Sequence, residues 1–505
     1  MTYNAAQPLH HHALRTPERE ALQFEQTRWT YADLDDAVTA TASVLRRNGI
    51  EAGDRVALLG MNSDEYVVAL LALSRITAVA VPLNYRLHPD EMTFLVGDAG
   101  AVALLVDGEY GSLVDDLVAA MPECRLVAGM HGEVAGVTSL AELRAGDDAD
   151  YVSVAAPADA DTLDRILYTS GTTSRPKGVM LTHGNAAWNT LVQVTEDCLR
   201  HDERTLAFAP LYHIGAQELP GLRTFAVGAS MVVMRRFDPA AVLDAVDEHR
   251  ITGMCMVASM VHIMRELPTI AEFDTSSVRW LVFSQVPIAL FDDLREIFPN
   301  AALRNSYGLT ETCSTVSALD PAHERVYPAA PGRASQHVEV RIVDDDDVVL
   351  GPDELGEIVV RSPKVMAGYW QQPELTAEVM RGGWLHTGDV GRLNADGYLT
   401  VVDRKKDMIR SGGENVASPE IERVIHELDE VAECAVVGVP DPKWLEVPKA
   451  FVVVRPDARL DADRVVAHCR DRLASFKVPK QVEFRDELPR NPSGKVLKRE
   501  LRDGN

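Results

Sequence analysis

The sequence has few cysteines, a shortage of basic residues and no long uninterrupted apolar run. No Cys-x-x-Cys pair or His/Cys cluster is present, which argues against the common zinc and dithiol redox sites. The six cysteines are widely spaced, at Cys124, Cys198, Cys255, Cys313, Cys434 and Cys469. Because the N-terminus also shows no apolar signal segment, we expect a cytoplasmic protein with reduced thiols.

The most apolar stretch covers residues 66–83, and it is interrupted by Arg75 and Pro82. A membrane-spanning helix needs about 20 predominantly apolar residues, which this stretch does not supply. The stretch therefore predicts a buried helix followed by a strand.

Acidic residues outnumber basic residues by 76 to 50, which gives a formal net charge of −26. Such an excess argues against a general nucleic-acid-binding surface. Residues 401–505 contain equal numbers of basic and acidic side chains, so the whole excess lies in the first 400 residues. Any polyanionic ligand must therefore be met by a local basic patch.

A chain of 505 residues is too long for one ordinary core, so we expect two or three domains. Apolar runs with β-propensity alternate with helical patterns, such as residues 30–47 and 239–248. The predicted strands are residues 56–59, 78–83, 102–106, 166–168, 205–208, 230–234, 253–257 and 280–283. This alternation indicates an α/β fold with parallel sheets covered by helices.

The pattern changes near residue 331 to shorter strands, which predict a small β-unit with an acidic turn at residues 344–347. Its strands are expected at residues 338–343, 348–350, 356–360 and 397–402. A compact α+β pattern follows, with helices at 418–428 and 462–473 and strands at 434–439 and 449–454. We place a domain boundary near Arg404, which gives a large domain of residues 1–403 and a small, mobile domain of residues 404–505.

Residues 170–178 read S-G-T-T-S-R-P-K-G and follow a short apolar run. Glycines allow close approach of the backbone, hydroxyls and amides donate hydrogen bonds, and Arg175 and Lys177 supply positive charge. Pro176 and the order Lys177-Gly178 differ from the Walker A loop. The stretch predicts a mobile loop that covers a polyphosphate.

Residues 305–312 read N-S-Y-G-L-T-E-T. This pattern is suited to stacking a base on Tyr307, admitting a ligand beside Gly308, contacting phosphate with Thr310 and binding Mg²⁺ through Glu311. The same residues are equally typical of the capped N-terminus of a helix.

Two shorter motifs are weak when they are taken alone. Residues 387–389 read T-G-D, and Asp389 is suited to binding ribose hydroxyls, although an ordinary turn has the same composition. Residues 492–495 read P-S-G-K and present Lys495 on a flexible loop, where a solvated lysine is also common.

The ordered set of motifs resembles the adenylate-forming superfamily, whose members include acyl-CoA synthetases, adenylation domains and beetle luciferases. The set is S-G-T-T-x-x-P-K-G, Y-G-x-T-E, T-G-D, D-R-x-K-D-x-I, G-G-E-N and P-x-x-x-x-G-K. It extends from about Thr30 to Leu501. The resemblance implies that a carboxylic acid reacts with ATP to give acyl-AMP and pyrophosphate, after which a thiol, usually that of coenzyme A, displaces AMP.

The resemblance also implies roles for individual residues. Tyr307 would pack on adenine, Thr310 would contact the α-phosphate and Glu311 would hold Mg²⁺. The residues implied to bind the nucleotide are Thr169, Ser170, Gly171, Thr172, Thr173, Lys177, Tyr307, Gly308, Asp389 and Arg404. The loop of residues 170–178 would contact the β- and γ-phosphates of ATP, and Asp389 and Arg404 would bind its ribose.

Four further residues are implied to serve the chemistry. Lys495 would bridge the acyl carboxylate and the α-phosphate, and His213 would lie near the acyl group. Gly413 would line the pantetheine passage of coenzyme A. Lys406 matches a hinge about which the small domain rotates between the two half-reactions.

The sequence departs from the family pattern after the strand that ends at Phe283. Ser284-Gln285-Val286-Pro287 replaces a glycine-rich turn, as in the similar carnitine/crotonobetaine-type CoA ligases. The expected acyl pocket contains His213, Gln217, Ser284, Gln285, Asn305 and Ser306. This turn and the polar Gln217 and Glu218 favour a small, polar or aromatic acid over a long-chain fatty acid.

The motifs for adenylation leave the acceptor open. Coenzyme A is the first expectation, and a carrier-protein pantetheine, an amine or nitrite in a diazo-forming reaction are alternatives. A catalytically silent scaffold is disfavoured because Glu311, Asp389, Arg404 and Lys495 are all retained. The sequence also leaves open whether the protein forms a homodimer.

Overall fold

The structure is a computed structural model, and it describes most of the 505 residues in two compact units. The described residues are 3–145, 156–169, 176–197, 199–284, 289–324, 326–327, 330–411, 414–442, 444–456, 458–490, 494 and 496–503. Unit 1 comprises residues 1–340, 360–385 and 397–399, and unit 2 comprises residues 341–359, 386–396 and 400–505. The boundary near Arg404 stays a prediction.

The strands of the described residues follow in chain order. They are β1 Glu20–Phe24, β2 Thr27–Thr30, β3 Arg55–Leu59, β4 Val79–Leu83, β5 Ala103–Val106, β6 Leu126–Gly129, β7 Leu163–Thr169, β8 Lys177–Thr182, β9 Arg204–Ala207, β10 Ser230–Val233, β11 Gly253–Val257, β12 Trp280–Ser284, β13 Ala302–Leu309, β14 Ser314–Ala318, β15 Arg333–Ala334, β16 Glu339–Val343, β17 Gly356–Arg361, β18 Gly368–Tyr369, β19 Leu385–Leu393, β20 Leu399–Arg404, β21 Ile409–Ser411, β22 Glu414–Val416, β23 Val431–Asp441, β24 Leu445–Val454 and β25 Gln481–Phe484.

The α-helices of the same residues are α1 Gln7–Arg15, α2 Tyr31–Arg47, α3 Asp64–Arg75, α4 Pro89–Ala99, α5 Val114–Ala119, α6 Leu140–Ala145, α7 His183–Asp197, α8 Ile214–Ala216, α9 Leu222–Ala226, α10 Pro239–His249, α11 Ala258–Arg265, α12 Ala289–Ile297, α13 Pro373–Val379, α14 Ser418–Ile425, α15 Ala462–Arg470 and α16 Lys498–Asp503. Short 3₁₀ turns lie at Gly108–Leu113, Ile270–Glu272, Thr310–Thr312, Pro321–His323 and Arg381–Gly383, and a π-turn lies at Gln217–Gly221. No described helix is long and apolar enough to cross a membrane.

Unit 1 contains two large sheets with mainly parallel interiors. One has nine strands in the order β15-β14-β13-β12-β11-β9-β10-β1-β2, and the other has seven in the order β18-β8-β7-β4-β3-β5-β6. Strands β3, β4, β5 and β6 run parallel, as the alternating pattern predicts. All five residues of β4 are buried, as expected for a parallel strand with helices on both faces.

Helices α2 and α3 pack against both large sheets of unit 1. One buried apolar cluster includes Val38 of α2, Leu70 of α3, Leu22 of β1 and Val56 of β3, so the helices pack against both sheets. Thr30 begins α2 with a capping box, in which its hydroxyl accepts from the Asp33 amide at 3.1 Å. The prediction of a buried helix before β4 is confirmed, because every residue of α3 is buried.

Unit 2 contains the five-stranded sheet of β21 to β25 and most of a four-stranded sheet. The four-stranded sheet has the order β16-β17-β19-β20. The predicted strand at residues 348–350 is reduced to a single bridge between Val343 and Val349, because the acidic turn closes directly onto β16. Asp344 Oδ1 accepts from the amides of Asp346 and Val348, which fixes that turn.

Ser418 is the first residue of α14, and Ala417 occupies the N-cap position without a side-chain hydrogen bond. The Ser418-Pro419-Glu420 sequence would have predicted Ser418 itself as the cap. The Ser418 hydroxyl instead donates to Asp403 Oδ2 at 2.7 Å and accepts from Lys498 Nζ at 2.5 Å. Side chains from three separate segments of unit 2 thus meet at this serine.

Candidate active site

The ends of the predicted phosphate loop are held together by two paired strands. Thr169 ends β7 and lies directly opposite Lys177, which begins the antiparallel strand β8. Residues 170–175, which include the predicted ligands Ser170, Gly171, Thr172 and Thr173, lie outside the described residues. The register therefore fixes where the loop leaves and rejoins the seven-stranded sheet.

Lys177 is largely buried, with 9% of its surface exposed. Its Nζ atom lies 5.2 Å from the ring centroid of Tyr369, which is within the range of a cation–π contact. The neighbouring Gly178 is required sterically, because a Cβ atom there would lie 2.8 Å from Ile166 and 3.1 Å from Trp370. The lysine is thus held at the base of the loop by a tightly packed strand.

The second predicted nucleotide motif forms the end of β13 and the following 3₁₀ turn. Strand β13 carries Tyr307 and Gly308, and the turn contains Thr310 and Glu311. A Cβ atom on Gly308 would lie 2.2 Å from the Ser314 carbonyl oxygen, so only glycine fits. The chain reverses closely here to enter β14.

The backbone that reverses direction between Glu311 and β14 is strained. Cys313 and Ser314 have φ angles of +47° and +80°, a region that non-glycine residues rarely occupy. Strain of this kind is concentrated at functional sites, where the surrounding structure imposes it. The Thr312 hydroxyl stabilises the turn by accepting from the Leu309 amide at 2.9 Å.

Tyr369 connects the two nucleotide motifs, and the sequence motifs did not predict it. Its hydroxyl donates to Glu311 Oε1 at 2.9 Å while its ring contacts Lys177. The Met366 amide donates to the Glu311 carbonyl oxygen at 2.8 Å, and the Trp370 amide donates to the Gly178 carbonyl oxygen at 2.7 Å. Residues 366–370 therefore tie Glu311 to the base of the phosphate loop.

His213 directly precedes α8 in unit 1, and it is exposed at the surface of the unit. Its ring centroid is 4.7 Å from that of Tyr212, which in turn contacts Tyr85. Removal of water by the surrounding atoms, assisted by repulsion from Arg86, lowers the pKa of His213 to about 4. The imidazole is therefore neutral at pH 7.

Gln217 is 1% exposed, and both ends of its amide are engaged within the protein. Its Oε1 accepts from Arg165 Nη1 at 2.7 Å, and its Nε2 donates to the Leu211 carbonyl oxygen at 2.7 Å. Glu218 also accepts from Arg165, at 3.0 Å. The polar pair that favoured a polar acid thus belongs to a buried hydrogen-bond network, and the place of Gln217 in the acyl pocket stays a prediction.

Two neighbouring strands hold the remaining described residues of the predicted acyl pocket. Ser284 ends β12 and is paired with Ser306 of β13, whose hydroxyl donates to the Phe283 carbonyl oxygen at 3.2 Å. Asn305 precedes it on β13 and is buried. Gln285 lies outside the described residues.

In unit 2 the two predicted ribose ligands form an ion pair. Arg404 Nε lies 2.7 Å from Asp389 Oδ1, and Asp389 is buried in β19. Burial lowers the pKa of Lys406, the predicted hinge residue. Gly413 and Lys495 lie outside the described residues, so their roles stay predictions.

The AMP-binding enzyme family matches residues 9–370, and its C-terminal domain matches residues 420–495. A feruloyl-CoA synthase of an Amycolatopsis species is 41% identical over 97% of this chain and 96% of that protein. The indoleacetate–CoA ligase of Aromatoleum aromaticum is 37% identical over 97% of this chain and 96% of its own.

Solved structures of the o-succinylbenzoate CoA synthetase (MenE) of Bacillus subtilis have the same fold. The complex with the acyl-adenylate intermediate has a TM-score of 0.88 at 30% identity, and it covers 100% of this chain and 99% of the synthetase. The complex with ATP and magnesium ion also has a TM-score of 0.88 at 30% identity, with 99% of this chain and 100% of the synthetase covered.

Proposed function

Because the chain belongs to the AMP-binding enzyme family and is an AMP-forming acid–CoA ligase, we propose that the acid it activates is aromatic. The observation that carries the proposal is the 41% identity with a feruloyl-CoA synthase along almost the whole chain. The names of the indoleacetate and succinylbenzoate ligases support it, because each of those acids contains an aromatic ring.

The reaction has two balanced steps. In the first, a carboxylate oxygen of the acid attacks the α-phosphorus of ATP, the bond to the β-phosphate breaks, and pyrophosphate leaves. In the second, the thiol of coenzyme A loses its proton and attacks the acyl carbon, and AMP leaves with the oxygen that came from the acid. The phosphate oxygens gain negative charge during the first step, so positioned cations and donors lower its barrier.

Lys177 and Glu311 fit the demands of the first step. The Lys177 ammonium supplies a fixed positive charge at the base of the phosphate loop. Glu311 offers a carboxylate, the oxygen donor that Mg²⁺ prefers, and it is only partly buried. Mg²⁺ held there would neutralise phosphate charge. Thr310 precedes Glu311 in the same 3₁₀ turn, and its hydroxyl is proposed to contact the α-phosphate.

Tyr369 is proposed as a positioning residue for both charged groups. Its hydroxyl orients the Glu311 carboxylate, and its ring lies beneath the Lys177 ammonium. A hydrogen bond to a charged group contributes about 1.5–3 kcal/mol. Loss of the hydroxyl therefore frees one carboxylate oxygen without removing any charge.

We predict that Tyr369→Phe lowers kcat/KM for MgATP about tenfold, because it removes the hydrogen bond to Glu311 and keeps the ring beside Lys177. Pyrophosphate release at varied Mg²⁺ and ATP measures the effect. Tyr31→Phe is the matched control, since it removes a buried hydroxyl that donates to the Ala229 carbonyl oxygen at 2.7 Å, away from the site. A Tyr369→Phe enzyme with an unchanged Mg²⁺ dependence contradicts the positioning role.

The remaining residues take roles that follow from the family pattern. The neutral His213 is proposed to border the acyl group. Asp389 and Arg404 are proposed as ribose ligands, and their ion pair keeps the arginine oriented. Lys495 is proposed as the catalytic lysine, and Lys406 as the hinge residue.

The aromatic acid is tested by a panel in which each acid is incubated with enzyme, MgATP and coenzyme A. The panel contains cinnamates, benzoates, arylacetates and straight-chain fatty acids of 4 to 16 carbons, and acyl-CoA is identified by mass spectrometry. We expect kcat/KM for the best aromatic acid to exceed that for every fatty acid by about tenfold or more. A preference for fatty acids overturns the proposal.

A further inference from the structure

A buried lysine contacts the chain just after the strained turn that follows Glu311. Lys364 is 1% exposed, and its Nζ atom donates to the carbonyl oxygen of Thr315, which directly follows the two strained positions of the turn. Thr315 is paired with Gly308 at the point where the register between β13 and β14 is interrupted. The lysine therefore contacts the irregular end of the hairpin that carries the nucleotide motif.

The segment that contains Lys364 also contacts the chain before the turn. The Met366 amide donates to the Glu311 carbonyl oxygen at 2.8 Å, and the Tyr369 hydroxyl donates to Glu311 Oε1 at 2.9 Å. Residues 364–369 thus hold the chain on both sides of the strained positions. Strained backbone persists only where the surrounding structure imposes it, so these contacts together restrain Glu311.

Helix α7 fixes Lys364 through two asparagines that are four residues apart. Asn185 Nδ2 donates to the carbonyl oxygens of Pro363 and Val365, at 3.0 and 2.9 Å, so the backbone on either side of the lysine is held. Asn189 Oδ1 accepts from Lys364 Nζ at 2.6 Å. Residues four apart lie on the same face of a helix, so one face of α7 fixes both the backbone and the ammonium group of this lysine.

The charge of Lys364 is compensated through Asn189, without a direct ion pair among the described residues. Asn189 Nδ2 donates to Glu218 Oε2 at 2.7 Å, and Glu218 Oε1 accepts from Arg165 Nη1 at 3.0 Å. Arg165 also forms an ion pair with Asp164, so the buried group contains two basic and two acidic side chains. Burial lowers the pKa of Lys364 to about 8, and attraction by Glu218 limits the fall, so the ammonium is charged at pH 7.

A buried charge costs more free energy than an apolar side chain of similar volume. Packing alone would therefore be served as well by methionine or leucine at this position. The ammonium of Lys364 is distinguished by what it contacts, which is the carbonyl oxygen directly after the strained turn.

We propose that Lys364 is a positioning residue for the magnesium site, which acts by holding the chain after the turn and so fixing the direction of the Glu311 carboxylate. The inference rests on the proposed role of Glu311 as the Mg²⁺ ligand. It adds a contact that lies on the other side of the turn from the Tyr369 hydroxyl. Contacts that orient a metal ligand matter for affinity, since their loss typically weakens metal binding about 10- to 100-fold.

Lys364→Met tests the proposal, because it removes the ammonium and keeps an unbranched side chain. We expect the Mg²⁺ concentration needed for half-maximal pyrophosphate release to rise about tenfold. The KM for the acid and the rate of thioester formation from supplied acyl-AMP are expected to stay within about twofold, because neither depends on Glu311. A variant that is merely less stable would slow both half-reactions by the same factor and keep its Mg²⁺ requirement.

A binding measurement without turnover gives a second readout. The probe is α,β-methylene-ATP, in which the bond that breaks during adenylation is replaced by a stable one. Calorimetric titrations with and without Mg²⁺ give the gain in affinity that the metal confers. In Lys364→Met this gain is expected to be about tenfold smaller, while the affinity without Mg²⁺ stays within about twofold of wild type.

Glu218→Gln is the matched control, because it also removes one buried charge of the network and keeps the contact between Lys364 and Thr315. Its Mg²⁺ requirement is expected to stay within about twofold of wild type. If Lys364→Met fails to fold, the double variant Lys364→Met/Glu218→Gln keeps the buried charges balanced, and it is expected to show the same shift of about tenfold.

Combination with Glu311→Gln decides whether Lys364 acts through that carboxylate. In the Glu311→Gln background, Lys364→Met is expected to change the Mg²⁺ requirement by less than about twofold, and a full tenfold effect there overturns the proposal. An unchanged Mg²⁺ requirement in Lys364→Met, or equal slowing of both half-reactions, also overturns it and leaves the metal site at Glu311 intact. An unchanged Mg²⁺ requirement in Glu311→Gln alone overturns the metal site together with this inference.

Discussion

Lys495→Ala is expected to slow acyl-AMP formation about 10²- to 10³-fold. The family pattern implies that its ammonium bridges the acyl carboxylate and the α-phosphate, where negative charge develops only in the first step. Thioester formation from supplied acyl-AMP is therefore expected to stay within about twofold of the wild-type rate. Single-turnover assays with ATP and with synthetic acyl-AMP measure the two steps separately.

The matched control is Lys480→Ala, because Lys480 is an exposed lysine of the same C-terminal segment. Its removal is expected to change neither step. If Lys495→Ala slows both half-reactions equally, the assignment of Lys495 to adenylation is wrong.

Glu311→Gln is expected to lower the rate of pyrophosphate release about 10²-fold and to raise the Mg²⁺ concentration needed for half-maximal activity. The amide is nearly isosteric and can still accept from Tyr369, so the change removes charge and keeps the hydrogen bond. A Mg²⁺ titration at saturating ATP measures both effects.

The control for this substitution is Glu25→Gln at the exposed turn between β1 and β2. The double variant with Tyr369→Phe is informative as well, because Tyr369 is proposed to act by orienting the Glu311 carboxylate, so its loss should matter less once that charge has been removed. An unchanged Mg²⁺ requirement in Glu311→Gln contradicts its role as the metal ligand.

The interior of the fold was predictable because parallel strands are buried on both faces. Apolar runs such as those of β4 and β11 are therefore visible in the sequence. The antiparallel edges were not foreseen, since the hairpin of β1 and β2 has short strands and β2 is partly exposed. An edge strand of this kind lacks a strong apolar pattern.

The candidate site residues that lie within motifs could be proposed from the sequence, and those defined by distant contacts could not. Lys177 and Glu311 belong to motifs whose residue types indicate phosphate binding and metal binding. Tyr369 follows Glu311 by 58 residues, and its role depends on the pairing of β18 with β8.

Gln217 shows that a polar residue that suggests a ligand-binding role from the sequence can be engaged by the protein itself. Its polarity suggested a polar acyl pocket, yet its amide is engaged by Arg165 and by the Leu211 carbonyl oxygen. A polar residue in a sequence therefore predicts a hydrogen-bond partner more safely than it predicts a ligand.

The most direct measurement follows ¹⁸O from the carboxylate of a labelled aromatic acid during turnover with ATP, Mg²⁺ and coenzyme A. An acyl-adenylate transfers one carboxylate oxygen to AMP, so one ¹⁸O atom per AMP and unlabelled pyrophosphate are predicted. Label in inorganic phosphate accompanied by ADP, or AMP without label, would contradict adenylation as the source of the activated acid.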